Sequence, residues 1–256
     1  MKTILLAGGL GTRLSEETTL KPKPMVEIGG MPILWHIMKT YASFGFNDFA
    51  VALGFKGDVI KNFFLNYKIH KSDIITNLYS GSVKFENDFS EDWNVGLYDT
   101  GASSMTGGRL LKLKRLFEPG DTFMVTYGDG LADIDISKLI EFHKSHGKTA
   151  TLTAVRPPAR FGSIIMEESG LITEFKEKPQ IGEGWINGGY FVFNYEVFNY
   201  LNDDQTILER EPLEKLSKQN ELVAYRHEGF WHCMDTIRDR DNLNEIWAGG
   251  NAPWKK

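Results

Sequence analysis

The first half of the chain alternates short apolar runs with amphipathic segments, a pattern typical of strand–helix units around a mostly parallel sheet. Residues 3–7 form a nearly uninterrupted apolar run, which predicts a buried strand. From Pro32 onward, apolar side chains recur at helical spacing as far as Phe44, and Gly45 marks the predicted end of this helix. The same reasoning predicts strands at 49–53, 123–127 and 150–155, and helices at 59–67, 136–146 and 236–247.

Two later regions depart from this alternation. Residues 72–99 are polar and aromatic without a clear period, and we expect a small β excursion there. Residues 163–167 and 171–175 flank a turn at Gly170, which predicts a hairpin, and 190–193 predict a further strand. No repeat, low-complexity tract or linker divides the sequence, so we predict one α/β domain over residues 1–256 with a nucleotide-binding N-terminal half.

Composition and charge narrow the classes of function. The net charge of −5 provides no global positive field for nucleic acid, so a bound polyanion must be held by a local cluster of donors. The single cysteine, Cys233, excludes an intrachain disulfide and fits a reducing, cytoplasmic setting. No apolar stretch approaches the roughly 20 residues that span a bilayer. We therefore expect neither a nucleic-acid nor a membrane partner.

A glycine-rich loop follows the first predicted strand. Three glycines at this point let backbone N–H groups approach phosphate oxygens, and Arg13 adds a charged fork that can bind phosphate. The alternative is a tight strand-to-helix turn. Leu14 occupies the third glycine position of the dinucleotide fingerprint, and the Gly-Lys-Ser/Thr of a Walker A loop does not occur. The candidate phosphate-binding residues are Leu6, Ala7, Gly8, Gly9, Leu10, Gly11, Thr12 and Arg13.

The segment KPKPM at 21–25 supplies a second cationic feature. Its alternating prolines hold the backbone extended and keep the lysines out of a helix. A lysine about 4 Å from a phosphate charge interacts at roughly 4 kcal/mol when the effective dielectric constant is 20. The alternative for either lysine alone is a solvated basic loop. Lys23 is our candidate for a phosphate contact.

Two aspartates are candidate acidic site residues. Asp129 lies in the sequence YGDG directly after a predicted buried strand, where ligands bind in open α/β sheets, although Asp-Gly is also a favoured turn pair. Asp235 precedes the last predicted helix and could equally be its N-cap. The residues alone leave both alternatives open.

The motifs LAGGLGTRL and KPKPMVEIGGMPIL resemble those of the nucleotidyltransferases that make nucleoside-diphosphate sugars. The similarity continues over nearly the whole chain through MTGGRL, TYGDG, RFG, EKP, INGG and GFWHCMDT. It implies a Rossmann-like α/β fold with a mixed central sheet flanked by helices, Mg²⁺ dependence and no covalent enzyme intermediate. Within the family the sequence is most similar to the cytidylyl branch that acts on glucose 1-phosphate, which implies CTP and glucose 1-phosphate as substrates.

The resemblance also implies roles for the catalytic candidates. Asp129 and Asp235 match the two Mg²⁺-binding aspartates of the family, and a site with two carboxylates suits Mg²⁺. We assign Lys23 to the α-phosphate region and Arg13 to the leaving pyrophosphate. Since the attacking phosphate oxygen is already anionic, positioning and charge neutralisation should supply most of the rate.

Residues 103–110 form a small-residue, glycine-rich loop that opens a predicted helix. By resemblance this loop lines the nucleotide site, and it lacks the Gln and P-x-G-L loop that uridylyl and thymidylyl relatives tend to carry, which favours CTP. An acceptor facing the cytosine N4 amine would reject uracil. The alternative is a flexible loop with a helix start. The candidates on this side are Ser104, Thr106, Gly107, Arg109 and Gly128.

The resemblance places the sugar phosphate on the C-terminal half. The candidates there are Gly162, Glu177, Lys178, Asn187 and Gly188. Taken alone, the neighbouring Glu177 and Lys178 would be an ordinary solvated pair. We expect the nearby aromatic residues, including Trp231, in the core.

Open alternatives are UTP or dTTP as donor, another sugar or polyol phosphate as acceptor, and a non-catalytic regulatory relative. The resemblance further implies a homo-oligomer, as in the hexamers of the cytidylyl branch, whose β excursion, here 72–99, reaches a neighbour.

Overall fold

A computed structural model describes residues 1–9, 11, 21–157, 163–167, 169–176 and 184–255. The strands are β1 (Thr3–Leu6), β2 (Glu27–Ile28), β3 (Met31–Pro32), β4 (Asp48–Leu53), β5 (Asp73–Thr76), β6 (Val83–Glu86), β7 (Asn94–Asp99), β8 (Thr122–Tyr127), β9 (Gly130–Ala132), β10 (Ala150–Val155), β11 (Ser163–Met166), β12 (Ile172–Lys176), β13 (Ile186–Asn194), β14 (Leu222–His227) and β15 (Trp231–Cys233). The helices are α1 (Ile33–Ala42), α2 (Gly57–Leu65), α3 (Tyr67–Lys71), α4 (Thr106–Lys112), α5 (Ile136–His146), α6 (Glu211–Lys218) and α7 (Ile237–Ala248).

The central sheet is mixed. Its strand order is β14-β10-β13-β8-β1-β4-β7. Strand β1 pairs in parallel with β4 and β8, and β10 pairs in parallel with β14, whereas β13 is antiparallel to both β8 and β10. The α/β fold with a mixed central sheet, expected from the sequence, is confirmed.

Both faces of this sheet are covered. Along β1, Leu5 packs into one hydrophobic cluster while Ile4 and Leu6 pack into another. A strand buried on both faces has no polar side, which explains the continuous apolar run that marked it in the sequence. Among the described residues, no helix combines the length and apolar character needed to cross a membrane.

The predicted β excursion is only partly correct. Strands β5 and β6 form a separate two-stranded antiparallel sheet, as expected for an excursion. Strand β7, however, pairs in parallel with β4 and forms an edge of the central sheet. Most of its side chains are half-buried and Gly96 interrupts it, so an edge strand here lacks the apolar run that marks a central one.

Candidate active site

A cavity of about 1120 Å³ opens beyond the carboxyl ends of β1 and β8, where ligands bind in sheets of this type. Usual small-molecule pockets occupy about 300–1,000 Å³, so this cavity has room for two substrates. Of the sequence candidates, the lining contains Leu6, Ala7, Gly8, Gly9, Gly11, Lys23, Ser104, Thr106, Arg109, Gly128, Asp129, Asn187 and Asp235.

Lys23 joins the two acidic candidates. Its ammonium nitrogen lies 2.6 Å from Oδ2 of Asp129 and 2.5 Å from Oδ1 of Asp235. All three side chains are largely buried, with exposed fractions of 12%, 24% and 18% respectively. The structure thus brings together three residues that are up to 212 positions apart in the sequence.

Short strands and a proline contact bring Lys23, Asp129 and Asp235 together. Pro24, next to Lys23, packs against Gly128, where a β-carbon would come within 2.9 Å of the proline ring. Strand β15 pairs with β9 so that Cys233 lies opposite Gly130, and the Met234 N–H donates to the carbonyl of Asp129 at 2.9 Å. This pairing places the residues that follow β15 beside those that precede β9.

Asp235 is not the N-cap of the last helix. Thr236 caps α7 and forms a capping box with Asp239, whose carboxylate accepts from the backbone N–H groups of Asp235 and Thr236. The Asp235 carboxylate is directed at Lys23 instead. The N-cap alternative is therefore excluded, and the metal-binding role of Asp235 stays a prediction.

The electrostatics of this cluster favour a cation. Burial by itself would lower the pKa of Lys23, but the neighbouring carboxylates outweigh it and raise that pKa. Burial also raises the pKa of the Cys233 thiol. One ligand atom each from Asp129, Cys233 and Asp235 lies within 4.8 Å of the others. With two carboxylate donors in reach, this donor set fits a divalent cation.

On the predicted nucleotide side, Arg109 contacts the glycine loop. The Arg109 guanidinium donates to the carbonyl oxygens of Gly8 at 2.8 Å and Leu53 at 3.0 Å, and to that of Gly101 at 2.7 Å. Arg109 is only 4% exposed, yet it reaches the cavity lining. Its predicted contact with the nucleotide stays a prediction.

The segment 203–209 packs against the first turn of α4. The Gly108 N–H donates to the Thr206 carbonyl at 3.1 Å, and the Thr106 hydroxyl donates to Oε2 of Glu209 at 2.6 Å. A β-carbon on Gly107 would lie 2.8 Å from the Thr206 carbonyl oxygen. Gly107 thus lies against this segment, outside the cavity lining, and its place in the nucleotide site stays a prediction.

On the predicted sugar side, the Asn187 side chain makes two hydrogen bonds. Its Nδ2 donates to the Tyr127 hydroxyl at 3.2 Å, and its Oδ1 accepts from the Gly189 N–H at 2.9 Å. Trp231 lines the cavity, and its indole N–H donates to the Gly188 carbonyl at 2.8 Å. The expectation that Trp231 lies in the core is only partly correct: the half-buried ring packs against the core, and the short strand β15 also places it at the cavity wall.

Several candidates lie outside the described residues: Leu10, Thr12, Arg13, Gly162, Glu177 and Lys178. The sequence did not predict Tyr127 or Cys233 as site residues, nor Glu209, which accepts from the Tyr127 hydroxyl outside the lining. The position of Tyr127 directly before Gly128 and Asp129 was a usable signal. Glu209 belongs to no motif, and only the folded chain places it near α4.

Comparisons with known proteins agree with this architecture. The chain matches the sequence profile of the nucleotidyl transferase family over residues 2–237. It is 52% identical over 255 residues to a glucose-1-phosphate cytidylyltransferase of Salmonella typhi, with 100% of this chain and 99% of that one covered. It is 30% identical over 248 residues to the mannose-1-phosphate guanylyltransferase catalytic subunit beta of Dictyostelium discoideum, with 95% and 63% covered.

The fold itself is shared with HddC from Yersinia pseudotuberculosis. Its crystal structure matches at a TM-score of 0.71 and 23% identity, covering 96% of this chain and 99% of that chain. Profile, relatives and fold therefore agree, and the chain belongs to the nucleotidyl transferase family.

Proposed function

We propose that this chain transfers the cytidylyl group of CTP to glucose 1-phosphate, giving CDP-glucose and pyrophosphate. The observation that carries the proposal is the meeting of Lys23, Asp129 and Asp235 in one cavity between the predicted nucleotide and sugar sides. The identity of 52% over the full chain to an enzyme named for these substrates supports the choice of CTP and glucose 1-phosphate.

The reaction needs no covalent intermediate. A phosphate oxygen of glucose 1-phosphate attacks the α-phosphorus of CTP, a new P–O bond forms, and the bond to the bridging oxygen breaks as pyrophosphate leaves. In this proposal Lys23 neutralises charge at the α-phosphate, Asn187 orients the sugar, and Arg13 contacts the pyrophosphate. Arg109 holds the Gly8 carbonyl, which orients the loop that faces the phosphates.

We propose Mg²⁺ as the divalent cation, held by Asp129 and Asp235. Mg²⁺ typically takes one or two carboxylates together with substrate phosphates and retains waters, which fits this donor set. When bound, it would neutralise phosphate charge and so favour departure of pyrophosphate. Because the Lys23 ammonium lies between the same two carboxylates, the lysine and the cation compete for them.

The test is an assay of pyrophosphate release across a matrix of substrates. The donors are CTP, UTP, dTTP and GTP, and the acceptors are glucose 1-phosphate, mannose 1-phosphate and a polyol phosphate. We expect CTP with glucose 1-phosphate to give the highest kcat/KM. Preference for another pair would keep the chemistry and replace the substrates, and no release with any pair would support a non-catalytic relative.

Variants test the residues separately from the substrates. Lys23→Ala and Asp129→Ala should each lower turnover by on the order of 10²–10⁴-fold while the chain stays folded. Lys21→Ala is the matched control, because Lys21 lies on the same proline-rich segment but pairs with Glu27 at 3.3 Å. Near-normal turnover in either site variant would remove that residue from the mechanism.

We propose that residues 1–256 act as one catalytic unit. Strands between residues 3 and 227 join in one sheet, and the cavity takes its lining from both halves of the chain.

We also propose a homo-oligomer that buries the β5–β6 region. Apolar side chains there are strongly exposed, with Leu78 at 93% and Phe89 at 77%. Light scattering should give a mass above one chain, and Leu78→Glu should reduce it. A monomeric parent chain would contradict this proposal.

A further inference from the structure

Glu209 connects the two sides of the cavity. Its Oε2 accepts a hydrogen bond from the Thr106 hydroxyl at 2.6 Å, and its Oε1 accepts one from the Tyr127 hydroxyl at 2.5 Å. Thr106 and Tyr127 line the cavity, whereas Glu209 lies behind them. The carboxylate therefore supports the lining from outside it.

This arrangement fixes the direction of each hydroxyl proton. An ionised carboxylate only accepts hydrogen bonds, so both hydroxyls must donate to Glu209. Burial and the neighbouring Glu209 charge raise the pKa of Tyr127, so the phenol keeps the proton that it donates. The Tyr127 oxygen is then free to accept from Asn187 Nδ2 at 3.2 Å, and the Thr106 oxygen accepts from the Leu208 N–H at 2.9 Å.

The same hydrogen bonds affect the orientation of the Asn187 side-chain amide. Its Oδ1 accepts from the Gly189 N–H at 2.9 Å, and its Nδ2 donates to Tyr127, so neither end can exchange places with the other. The Tyr127 ring also packs on Gly189, where a β-carbon would overlap it. Glu209 thus supports, through one intervening hydroxyl, the amide orientation that the Gly189 N–H also requires.

We infer that Glu209 is a positioning residue that orients Asn187 toward the sugar phosphate and Thr106 toward the nucleotide. This inference rests on the proposed function, since it assigns the two sides of the cavity to the two substrates. Glu209 itself touches neither substrate. Its effect is therefore on the affinity for both, transmitted through two separate hydroxyl groups.

The isosteric variant Glu209→Gln tests this inference. A glutamine must place an N–H toward one of the two hydroxyls, which then has to turn its own proton toward Asn187 or toward the Leu208 N–H. We expect the KM for CTP or that for glucose 1-phosphate to rise by about tenfold, the effect of losing about 1.4 kcal/mol of binding, depending on which hydroxyl faces the new N–H. Glu211→Gln is the control, because Glu211 pairs with Lys215 on the exposed face of α6.

Two further variants test the two hydroxyl contacts of Glu209 one at a time. Their results can be interpreted even if Glu209→Gln does not fold. Tyr127→Phe should raise the KM for glucose 1-phosphate and leave that for CTP within about twofold, and Thr106→Val should do the reverse. A general loss of stability would not raise the KM for one substrate while leaving the KM for the other unchanged. The inference is overturned if Glu209→Gln leaves both KM values unchanged, or if Tyr127→Phe and Thr106→Val raise both alike.

A crystal structure of Glu209→Gln separates this inference from the proposed function. The parent chain's turnover with CTP and glucose 1-phosphate tests the function by itself. In the variant, we expect the bond between Asn187 and Tyr127, or that between Thr106 and Leu208, to be lost. Retention of both bonds would overturn the positioning role even if the parent chain makes CDP-glucose.

Discussion

The Arg109 guanidinium occupies the space that a β-carbon on Gly8 would require. The same guanidinium donates to the Gly8 carbonyl at 2.8 Å, so the loop and the arginine fit each other only when position 8 is glycine. A β-carbon on Gly54 would overlap the same guanidinium and would also lie 2.7 Å from the Gly8 carbonyl oxygen. Two glycines and one buried arginine, far apart in the sequence, therefore pack together at the predicted nucleotide side of the cavity.

This relationship predicts the effect of Gly8→Ala. The methyl group should displace the guanidinium and break its bonds to the Gly8 and Leu53 carbonyls, which costs about 2 kcal/mol in the free energy of unfolding. Urea denaturation would measure this loss. Gly9→Ala is the control for stability, because a β-carbon there meets no atom within 4 Å. Equal stability of the two variants would contradict the account.

Lys23→Met should change metal binding and turnover in opposite directions. Without the ammonium, the carboxylates of Asp129 and Asp235 lose the charge that competes with a divalent cation, so we expect Mn²⁺, as a paramagnetic probe, to bind about tenfold more tightly in the absence of nucleotide. Turnover should nevertheless fall, because the α-phosphate loses its lysine. Electron paramagnetic resonance would report the free Mn²⁺.

Asp129→Asn supplies the comparison for that measurement. It should weaken Mn²⁺ binding by about tenfold or more, since a carboxylate ligand is lost. Asp241→Asn, which removes a carboxylate paired with Arg240 on the surface, should leave binding unchanged. If Lys23→Met bound Mn²⁺ no better than the parent chain, the ammonium and the cation would not share a site.

The sequence revealed those parts of the fold that depend on local patterns. Strand β10 and helix α5 have the predicted bounds, because their apolar periodicity ends at clear polar or glycine positions. Strand β13 begins earlier than predicted, at Ile186, because Gly188 and Gly189 resemble a turn in sequence. In the structure the two glycines lie within an irregularity in the pairing of β10 with β13, between the pairs Leu152–Phe191 and Ala154–Asn187, and glycine is common at such positions.

The site was predictable where a residue follows a recognisable strand or belongs to a motif. Asp129 met the first condition, and Lys23 met the second. The approach of Asp129 and Asp235 depends on β9 and β15, each three residues long and too short to show a period. Glu209 depends on the path of the 203–209 segment over α4, which no local pattern encodes. Long-range pairing, and not residue type, limits what the sequence reveals here.

Gly108→Ala should destabilise the chain although it replaces a helical glycine. Such a change usually stabilises a helix by about 1 kcal/mol. Here a β-carbon would overlap the Asp204 carbonyl, and backbone atoms cannot rotate away, so we expect the free energy of unfolding to fall by about 2 kcal/mol or more. Ser145→Ala on the exposed face of α5 gives the ordinary propensity effect for comparison. A stabilised Gly108→Ala would show that the 203–209 segment can move away from α4.

His36 should make stability depend on pH. Burial lowers its pKa to about 4, although the ring nitrogen Nε2 lies 2.7 Å from the Ile28 carbonyl oxygen, and the ring is only 2% exposed. In the unfolded chain the pKa is about 6.5, so between the two values the unfolded state binds the proton more readily. Stability from this residue is therefore complete above about pH 6.5 and falls as the pH decreases toward 4, by about 3 kcal/mol at most.

Thermal melting between pH 7.5 and 4.5 measures this dependence. His36→Gln keeps an N–H for the Ile28 carbonyl and does not titrate, so its melting temperature should fall less steeply with decreasing pH than that of the parent chain. His70→Gln, at an exposed position on α3, is the matched control and should retain the parent slope. If His36→Gln and the parent chain lost stability in parallel, the buried ring would not be the group that titrates.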